Sequence, residues 1–247
     1  MAQTIVEAID VQKNFDAVEV LRGVSFALAK GETLVVMGGS GSGKTVLLRL
    51  VAGLIRPDAG RIRVFDRAIE RLAEEELLPL RRRLGFVFQG AALFDSLSVY
   101  ENVAYPLREH ASLPESEIRA RVVKNLSLVG LGGEALALVP AELSGGMKKR
   151  VGIARALSVE PEVLLFDEPT GGLDPTNSKL VGELIRELRG GVCDTAIVVT
   201  HDLELAKTVA DRVAVLIDGR FATIGSIDGV LETTDSAVQA FLAGEAR

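Results

Sequence analysis

The segment GGSGSGKT, at residues 38–45, has the composition and spacing of a phosphate-binding turn. It fits the pattern GxxxxGK[ST] and lies between an apolar run and a helical run. The glycines let backbone amides turn inward around a phosphate, and the following helix adds its positive N-terminal end. Lys44 is predicted to reach the β- and γ-phosphates of a nucleoside triphosphate, and the Thr45 hydroxyl to bind Mg²⁺. The predicted nucleotide-binding residues are Gly38, Gly39, Ser40, Gly41, Ser42, Gly43, Lys44 and Thr45.

A second glycine turn, Leu143-Ser144-Gly145-Gly146, opens a predicted helix. Ser144 can cap that helix, while Gly145 and Gly146 leave backbone amides bare at its N-terminus, where anions bind. A capped helix with a flexible start is the plain alternative. One γ-phosphate needs only one such cradle, however, so the turn is predicted to serve the nucleotide of a second copy.

The helix that follows this turn is predicted to be amphipathic. Its apolar stripe holds Met147, Val151, Ala154 and Leu157, and Lys148, Lys149 and Arg155 are placed off that stripe.

Two carboxylates, Asp167 and Glu168, follow an apolar strand at 163–166. Ligands of open α/β sheets lie at the carboxyl ends of the strands. Asp167 is therefore predicted to bind Mg²⁺, directly or through water, and Glu168 to polarise the attacking water as general base. A solvated Asp-Glu pair is the alternative, and the phosphate-binding turn makes it the minor one.

Gln89 and His201 also stand after apolar runs. Gln89 lies between the core and a helical stretch, which makes it a candidate sensor of the γ-phosphate and Mg²⁺. His201 ends the strand expected beside that of Asp167, so its imidazole can reach the γ-phosphate in either tautomer. A polar loop residue and a structural histidine are the alternatives.

Strands and helices alternate on both sides of an all-helical stretch, which predicts an α/β core with an inserted helical lobe. Asp218-Gly219 predicts a hairpin, Gly53 a helix C-cap, and the tail one more helix. Strands are predicted at 4–9, 18–21, 24–29, 33–37, 62–65, 85–89, 163–166, 196–200, 213–217 and 221–224, and helices at 44–51, 72–83, 99–110, 115–129, 146–157, 179–188 and 203–209.

Composition narrows the classes of partner. The net charge of −6, with no strong basic run, argues against nucleic acid as the main partner. One cysteine and two histidines give no basis for a disulfide framework or a zinc site. The hydrophobic fraction of 48% fits a parallel sheet covered on both faces, or an exposed face for a membrane partner.

No apolar run reaches the roughly 18 to 20 residues that span a bilayer. Because the first fifteen residues include charged side chains, no signal peptide is predicted and we expect a cytoplasmic chain.

Taken in order, these residues resemble the ATP-binding cassette (ABC) ATPases over nearly the whole chain. In that resemblance residues 38–45 match Walker A, Gln89 the Q-loop, residues 143–146 the signature, and Asp167-Glu168 Walker B with its catalytic glutamate. Asp174 then falls in the D-loop, His201 is the switch histidine, and Phe15 falls where an aromatic stacks on adenine. Met147 replaces the glutamine usual after the signature.

The resemblance implies a P-loop NTPase (RecA-like) α/β core at 1–90 and 161–225, with an N-terminal antiparallel β subdomain. It also implies an inserted α-helical subdomain at 91–160 and a helical tail at 226–247, within one domain spanning 1–247. Two cassettes of this family close head-to-tail on ATP and Mg²⁺ as a homodimer. Closure is coupled to an integral inner-membrane permease, which places the chain on the cytoplasmic face of the inner membrane as a peripheral subunit.

A finer resemblance lies in GAALFDSLS at 90–98, ENVAYPLREH at 101–110 and LSGGM. These segments are similar to the ATPases of the Mla/Mce-type phospholipid transporters, which implies lipid cargo and a lipid-binding Mce-type partner. Amino-acid importers and lipoprotein exporters of the same family remain alternatives. From other classes, a soluble ABC protein acting on DNA or ribosomes and a non-hydrolysing binding module also remain.

Overall fold

The computed structural model describes residues 3–110 and 112–244 of the 247-residue chain. Its strands form a four-stranded and a six-stranded sheet. The strands are β1 (Thr4–Phe15), β2 (Val18–Ala29), β3 (Thr33–Met37), β4 (Ala59–Val64), β5 (Arg67–Ala68), β6 (Leu84–Val87), β7 (Val163–Asp167), β8 (Ala196–Thr200), β9 (Arg212–Ile217) and β10 (Arg220–Gly225). The helices are α1 (Lys44–Val51), α2 (Glu74–Arg81), α3 (Val99–His110), α4 (Glu115–Leu128), α5 (Gly145–Leu157), α6 (Pro175–Leu188), α7 (Leu203–Val209), α8 (Ile227–Leu231) and α9 (Ser236–Leu242).

The six-stranded sheet has the order β10-β9-β3-β8-β7-β6, and all its pairs are parallel except β9 with β10. Every residue of β3, β7 and β8 is buried, which accounts for their continuous apolar sequences. Side chains of β3 alternate between the two cores of the molecule: Leu34 and Val36 enter one, and Val35 and Met37 the other. The α/β core predicted from the sequence is confirmed.

The four-stranded sheet is antiparallel, with the order β2-β1-β4-β5. The prediction of separate strands at 4–9, 18–21 and 24–29 was wrong, because β1 and β2 each run for twelve residues. Their ladder tolerates several register shifts and a left-handed Asp10 (φ 50°), so polar residues and Gly23 do not end the strands.

The predicted turns at Gly53 and Asp218-Gly219 are confirmed. Gly53 adopts φ 66° just after α1 ends. Asp218 (φ 47°) and Gly219 (φ 73°) form the two-residue connection between β9 and β10, and both left-handed positions match the twist of a hairpin.

Helices α3, α4 and α5 lie between β6 and β7 in the chain, with α5 in contact with both of the others. In the first turn of α3, the side chain of the buried Asn102 hydrogen-bonds the backbone of Phe94, Leu97 and Ser98 and so fixes the loop that leads into the helix. Pro106 lies inside α3.

Three of the helix predictions differ from the structure by more than one residue. Helix α6 begins at Pro175 rather than at residue 179, because Asp174 caps it and proline suits the first helical position. Helix α2 is shorter than 72–83 at both ends. The tail holds α8 and α9 instead of one helix, since Asp235 accepts hydrogen bonds from two amides and starts a second helix. Within the described residues, no helix has both the length and the apolar character needed to cross a membrane.

Candidate active site

The segment 38–45 forms a loop from the end of β3 to the start of α1. Gly41 (φ 77°) and Gly43 (φ 105°) take left-handed conformations. A Cβ on Gly43 would lie 2.8 Å from a methyl of Leu21, so both conformation and space require glycine there. The hydroxyl of Ser42 is buried and has no hydrogen-bond partner in the described part of the chain. A glycine loop at a helix N-terminus with a spare hydroxyl donor fits a phosphate.

Lys44 provides the buried cation of this loop and is 7% exposed. Its ammonium donates to the carbonyls of Gly38 (2.8 Å) and Gly39 (2.9 Å). The same nitrogen lies 3.3 Å from Oε1 of Glu168. The loop therefore presents a fixed positive charge beside the carboxylate that the sequence assigns as general base.

Asp167 and Thr45 form the oxygen pair that the sequence predicts to bind Mg²⁺. The Thr45 hydroxyl donates to Oδ1 of Asp167 at 2.8 Å. Burial raises the pKa of the Asp167 carboxyl, and the hydrogen bond from Thr45 opposes that rise. These hard oxygen donors suit Mg²⁺, which binds one or two carboxylate or hydroxyl groups together with substrate phosphates. The described residues hold no cluster of three histidine, cysteine or acidic ligands.

Glu168 lies between Lys44 and His201. Its Oε2 is 3.0 Å from Nδ1 of His201, and its amide donates to Val199 of β8 at 2.9 Å. The residue is 7% exposed and has φ 46°, a strained conformation for a side chain of this size. The contacts on both carboxylate oxygens fix the direction of the group, as general-base chemistry requires.

A cleft of about 670 Å³ lies above this arrangement. It brings together most of the predicted residues, namely Gly39, Ser40, Gly41, Ser42, Gly43, Lys44, Thr45, Gln89, Glu168 and His201. Gly38 and Asp167 join it through their bonds to Lys44 and Thr45.

Phe15 does not line this cleft. It lies at the end of β1 with 45% of its surface exposed, and the Lys13 ammonium is 5.3 Å from its ring centre. Val20 of the adjoining β2 lines the cleft instead. Stacking of Phe15 on adenine stays a prediction.

The signature residues also lie away from the cleft lining, at the N-terminus of α5. The Ser144 hydroxyl accepts from the amide of Met147 at 3.2 Å and caps the helix. Behind the turn lie Leu173 and Asn177, the nearest neighbours that a Cβ on Gly145 or Gly146 would meet. Asp174 caps α6 in this backing layer, and hydrogen bonds from Asn177 lower the pKa of its carboxyl.

Two residues at the site were missed by the sequence interpretation. Lys149, placed there among the polar residues of the helix, is only 5% exposed. It donates to the backbone carbonyls of Gln89 and Glu168. Phe241 of α9 lines the cleft from the tail, where no motif marks it.

Comparisons with known proteins agree with this geometry. A family model described as ABC transporter matches residues 21–171. The dimeric post-hydrolysis structure of the ATP-binding cassette MJ0796, bound to ADP and Pi, superimposes with a TM-score of 0.83 at 31% identity, covering 90% of this chain and 99% of that one.

Three curated relatives illustrate the range of named cargoes. The intermembrane phospholipid transport system ATP-binding protein MlaF of Haemophilus influenzae is 41% identical over 222 residues, or 90% of this chain and 84% of that protein. The probable ribonucleotide transport ATP-binding protein Mkl of Mycobacterium tuberculosis is 38% identical over 239 residues (97% and 66%). The methionine import ATP-binding protein MetN of Mesorhizobium japonicum is 40% identical over 246 residues (100% and 67%). The chain thus spans about two thirds of the length of Mkl and MetN.

The matched family model covers more than half of the chain, and the site holds the cradle, the carboxylates and the histidine in one cleft. The chain therefore belongs to the ABC transporter family, as one of its ATPase cassettes.

Proposed function

We propose that this chain is the ATP-hydrolysing subunit of a transporter that moves phospholipids between bacterial membranes. It works as a homodimer in which each ATP lies between the loop 38–45 of one copy and the N-terminus of α5 of the other. The observation that carries the proposal is the separation of two anion-binding helix ends within one chain. One end has the cation and carboxylates around it, and the other lies away from their cleft.

Hydrolysis is assigned to groups that the structure holds in place. Lys44 and the loop amides bind the β- and γ-phosphates and stabilise charge that develops during phosphoryl transfer. Glu168 orients and polarises water, with its carboxylate held between Lys44 and His201. Gln89, at the cleft wall, contacts the γ-phosphate side of the site.

Mg²⁺ is assigned to Thr45, Asp167 and Gln89. When bound, the ion neutralises charge on the β- and γ-phosphate oxygens. The side chains of this chain supply the oxygen ligands and fix their direction through the Thr45–Asp167 hydrogen bond.

A second, apolar groove supports docking on a membrane permease. Its volume is about 420 Å³, and it lies beside the strand that leads to Gln89. Aromatic side chains line it together with arginines, among them Phe86, Phe88, Phe94, Tyr105, Arg81, Arg82 and Arg155. We assign it to an integral inner-membrane permease, which places the chain on the cytoplasmic face of that membrane.

The lipid cargo is supported by the segments that line this groove. Ala92 and Phe94 belong to the segment 90–98, and Tyr105 and Pro106 to 101–110, the two segments that resemble Mla/Mce-type ATPases. The identity to MlaF over 90% of the chain points the same way, and a lipid-binding Mce-type protein completes the proposed complex. Methionine import is the second candidate, because MetN is similar along the whole chain.

Purification of the tagged chain from detergent-solubilised membranes tests the cargo and the partner. We expect a permease and bound phospholipid to co-purify. Phe94→Asp, which puts a charge into the groove, should abolish co-purification of the permease, whereas Leu180→Asp on an exposed site of α6 should not. A permease with a bound amino acid and no lipid would transfer the chain to the second candidate.

The Glu168→Gln variant tests the assignment of the base and the dimer together. Removing the base while keeping the shape should lower kcat by about three orders of magnitude or more and trap an ATP-bound dimer on size exclusion. A variant that turns over ATP at the wild-type rate, or that stays monomeric with ATP, contradicts the proposal.

A further inference from the structure

Lys149 is a buried cation in α5, five positions after Ser144. Its side chain is 5% exposed. The neighbouring Lys148, in contrast, is only half-buried and makes no side-chain hydrogen bond to the described residues. Burial lowers the pKa of its ammonium, and the nearby Glu168 and Asp167 oppose that shift. A buried lysine is costly unless its donors are used, so its contacts indicate its role.

The ammonium of Lys149 joins two strand ends that approach the cleft separately. It donates to the carbonyl of Gln89, after β6, and to that of Glu168, after β7, the latter at 2.9 Å. Both are main-chain bonds, so they fix the backbone from which the Gln89 carboxamide and the Glu168 carboxylate extend. The strained φ of Glu168 shows that this backbone needs such support.

Two more positions of α5 contact the segment that follows Gln89. Arg155 donates to the carbonyls of Ala91 (2.8 Å) and Ala92 (2.7 Å). Ala91 (φ 60°) and Ala92 (φ 47°) are consecutive left-handed residues, a strained pair. Gly152 lies against this pair, since a Cβ there would be 3.3 Å from that of Ala91. Helix α5 thus supports the backbone of residues 89–92 at three positions.

We propose that Lys149 is a positioning residue of the ATPase reaction, which ties the backbone of Gln89 to that of Glu168 and links both to the signature helix. The inference rests on the proposed function, in which Glu168 is the base and Gln89 senses the γ-phosphate. In the dimer, Ser144 meets the ATP of the partner, about 7.5 Å along the helix from Lys149. Binding of the partner's ATP at Ser144 is thereby transmitted along α5 to Glu168 and Gln89 of the same chain. These two residues act on the other ATP, the one bound to the chain's own loop 38–45.

Lys149→Met tests this role, with Lys148→Met as the matched control. Methionine fills nearly the same volume without donors. The cleft lining does not include Lys149, so KM for MgATP should stay within about threefold. We expect kcat to fall by about ten- to a hundredfold, the effect of misplacing catalytic groups by about 1 Å. Lys148→Met should keep the wild-type kcat.

Two further variants separate positioning from simple stability. Lys149→Arg keeps a cation with donors and should recover at least half of the kcat lost in Lys149→Met. Lys149→Gln keeps two hydrogen-bond donors on a side chain one atom shorter and should have an intermediate kcat. This variant serves as the test of the proposal if Lys149→Met does not fold. Among the folded variants, the thermal midpoint of unfolding should not correlate with kcat.

Three outcomes overturn the proposal: a kcat for Lys149→Met or Lys149→Gln equal to that of Lys148→Met, a KM that rises in parallel with the loss of kcat, or an arginine variant as impaired as the methionine variant. Failure of the proposed function looks different. In that case wild type and Lys148→Met also lack ATPase activity, or Glu168→Gln is as active as wild type.

Discussion

The two anion-binding helix ends, those of α1 and α5, differ in what surrounds them. At α1 the glycine loop is surrounded by the Lys44 ammonium, the Thr45–Asp167 pair and the Glu168–His201 pair. The polar contacts of these side chains have lengths of 2.8 to 3.3 Å. At α5 the turn has a serine cap and, behind it, Leu173 and Asn177. The first end has the groups that the proposed chemistry needs, whereas the second has only those of a binding site.

This difference is the physical basis for the proposed sharing of each site between two copies. A helix N-terminus without a nearby cation or base adds binding energy to an anion that arrives already held elsewhere. A pair of identical chains related by twofold symmetry supplies each α1 end with an α5 end, and so makes two complete sites from one sequence.

Complementation between two inactive variants gives the largest expected effect. Lys44→Ala removes the cation of the first end. Ser144→Asp keeps a helix cap but places a negative charge at the proposed binding position of the partner's γ-phosphate. Each variant alone should retain less than about 1% of the wild-type kcat. An equimolar mixture should regain on the order of a quarter, because half of the random dimers are mixed and each holds one unaltered site.

Ser144→Asn is the matched control, since it caps the helix as well as aspartate does without the charge. It loses the serine hydroxyl but adds no charge beside the phosphate, so it should hydrolyse ATP more slowly than wild type and well above the rate of Ser144→Asp. If the mixture of the two inactive variants stays inactive while Ser144→Asn is active, both helix ends serve one chain's nucleotide and the comparison fails.

The sequence predicted the first end better than its surroundings. Lys44, Asp167 and His201 could be placed because a glycine loop and the ends of apolar strands are local patterns that determine where a side chain goes. Lys149 could not be placed, since two adjacent lysines look alike in sequence. Which one is buried depends on where the backbone of residues 89–92 passes α5.

Tertiary contacts also explain why some strands and helices were predicted wrongly from the sequence. The long antiparallel ladder of β1 and β2 overrode polar residues and a glycine that read as strand ends. The second tail helix, which carries Phe241 to the cleft, depends on a cap at Asp235. Such caps are visible in sequence, but the return of the tail to the cleft is not.

The second, smaller effect is on the pH dependence of stability, to which a carboxyl group near each helix end contributes. Burial raises the pKa of Asp167, so the native state holds that proton more tightly than the unfolded chain. Stability from this group is therefore present below the unfolded pKa, near 3.9, and is lost as pH rises through the native value. Asp167→Asn should raise the thermal midpoint at pH 7 by about 2 °C, a gain that vanishes in acid, while ATPase activity is lost.

Asp174, in the layer behind the signature turn, provides the contrast of opposite sign. Hydrogen bonds from Asn177 lower the pKa of its carboxyl, so its contribution is present above the unfolded pKa and is lost as pH falls. Asp174→Asn should therefore lower the midpoint slightly at pH 7 and not in acid. Midpoints of both variants measured by calorimetry from about pH 2 to pH 8 compare the two ends, because the unfolded pKa of aspartate, near 3.9, then lies inside the range, and equal pH dependence contradicts the assignment.

The smallest effect concerns the backing of the signature turn. A Cβ on Gly146 would lie 2.6 Å from Oδ1 of Asn177, whose amide nitrogen bonds Asp174 at 2.5 Å. Gly146→Ala should therefore displace Asn177 and lower kcat about fivefold, by shifting the turn without removing a contact to ATP. Its thermal midpoint should change little, because alanine gains up to about 1 kcal/mol of helix propensity that offsets the crowding.

Removal of the obstructing amide should reverse this loss. The double variant Gly146→Ala with Asn177→Ala should recover most of kcat, measured against Asn177→Ala alone. Recovery means that the second helix end acts through its position, as expected for a binding surface without chemistry of its own. If the loss persists in the double variant, the glycine amide itself, rather than the space behind it, limits hydrolysis, and the signature end takes a larger part in the reaction than its surroundings imply.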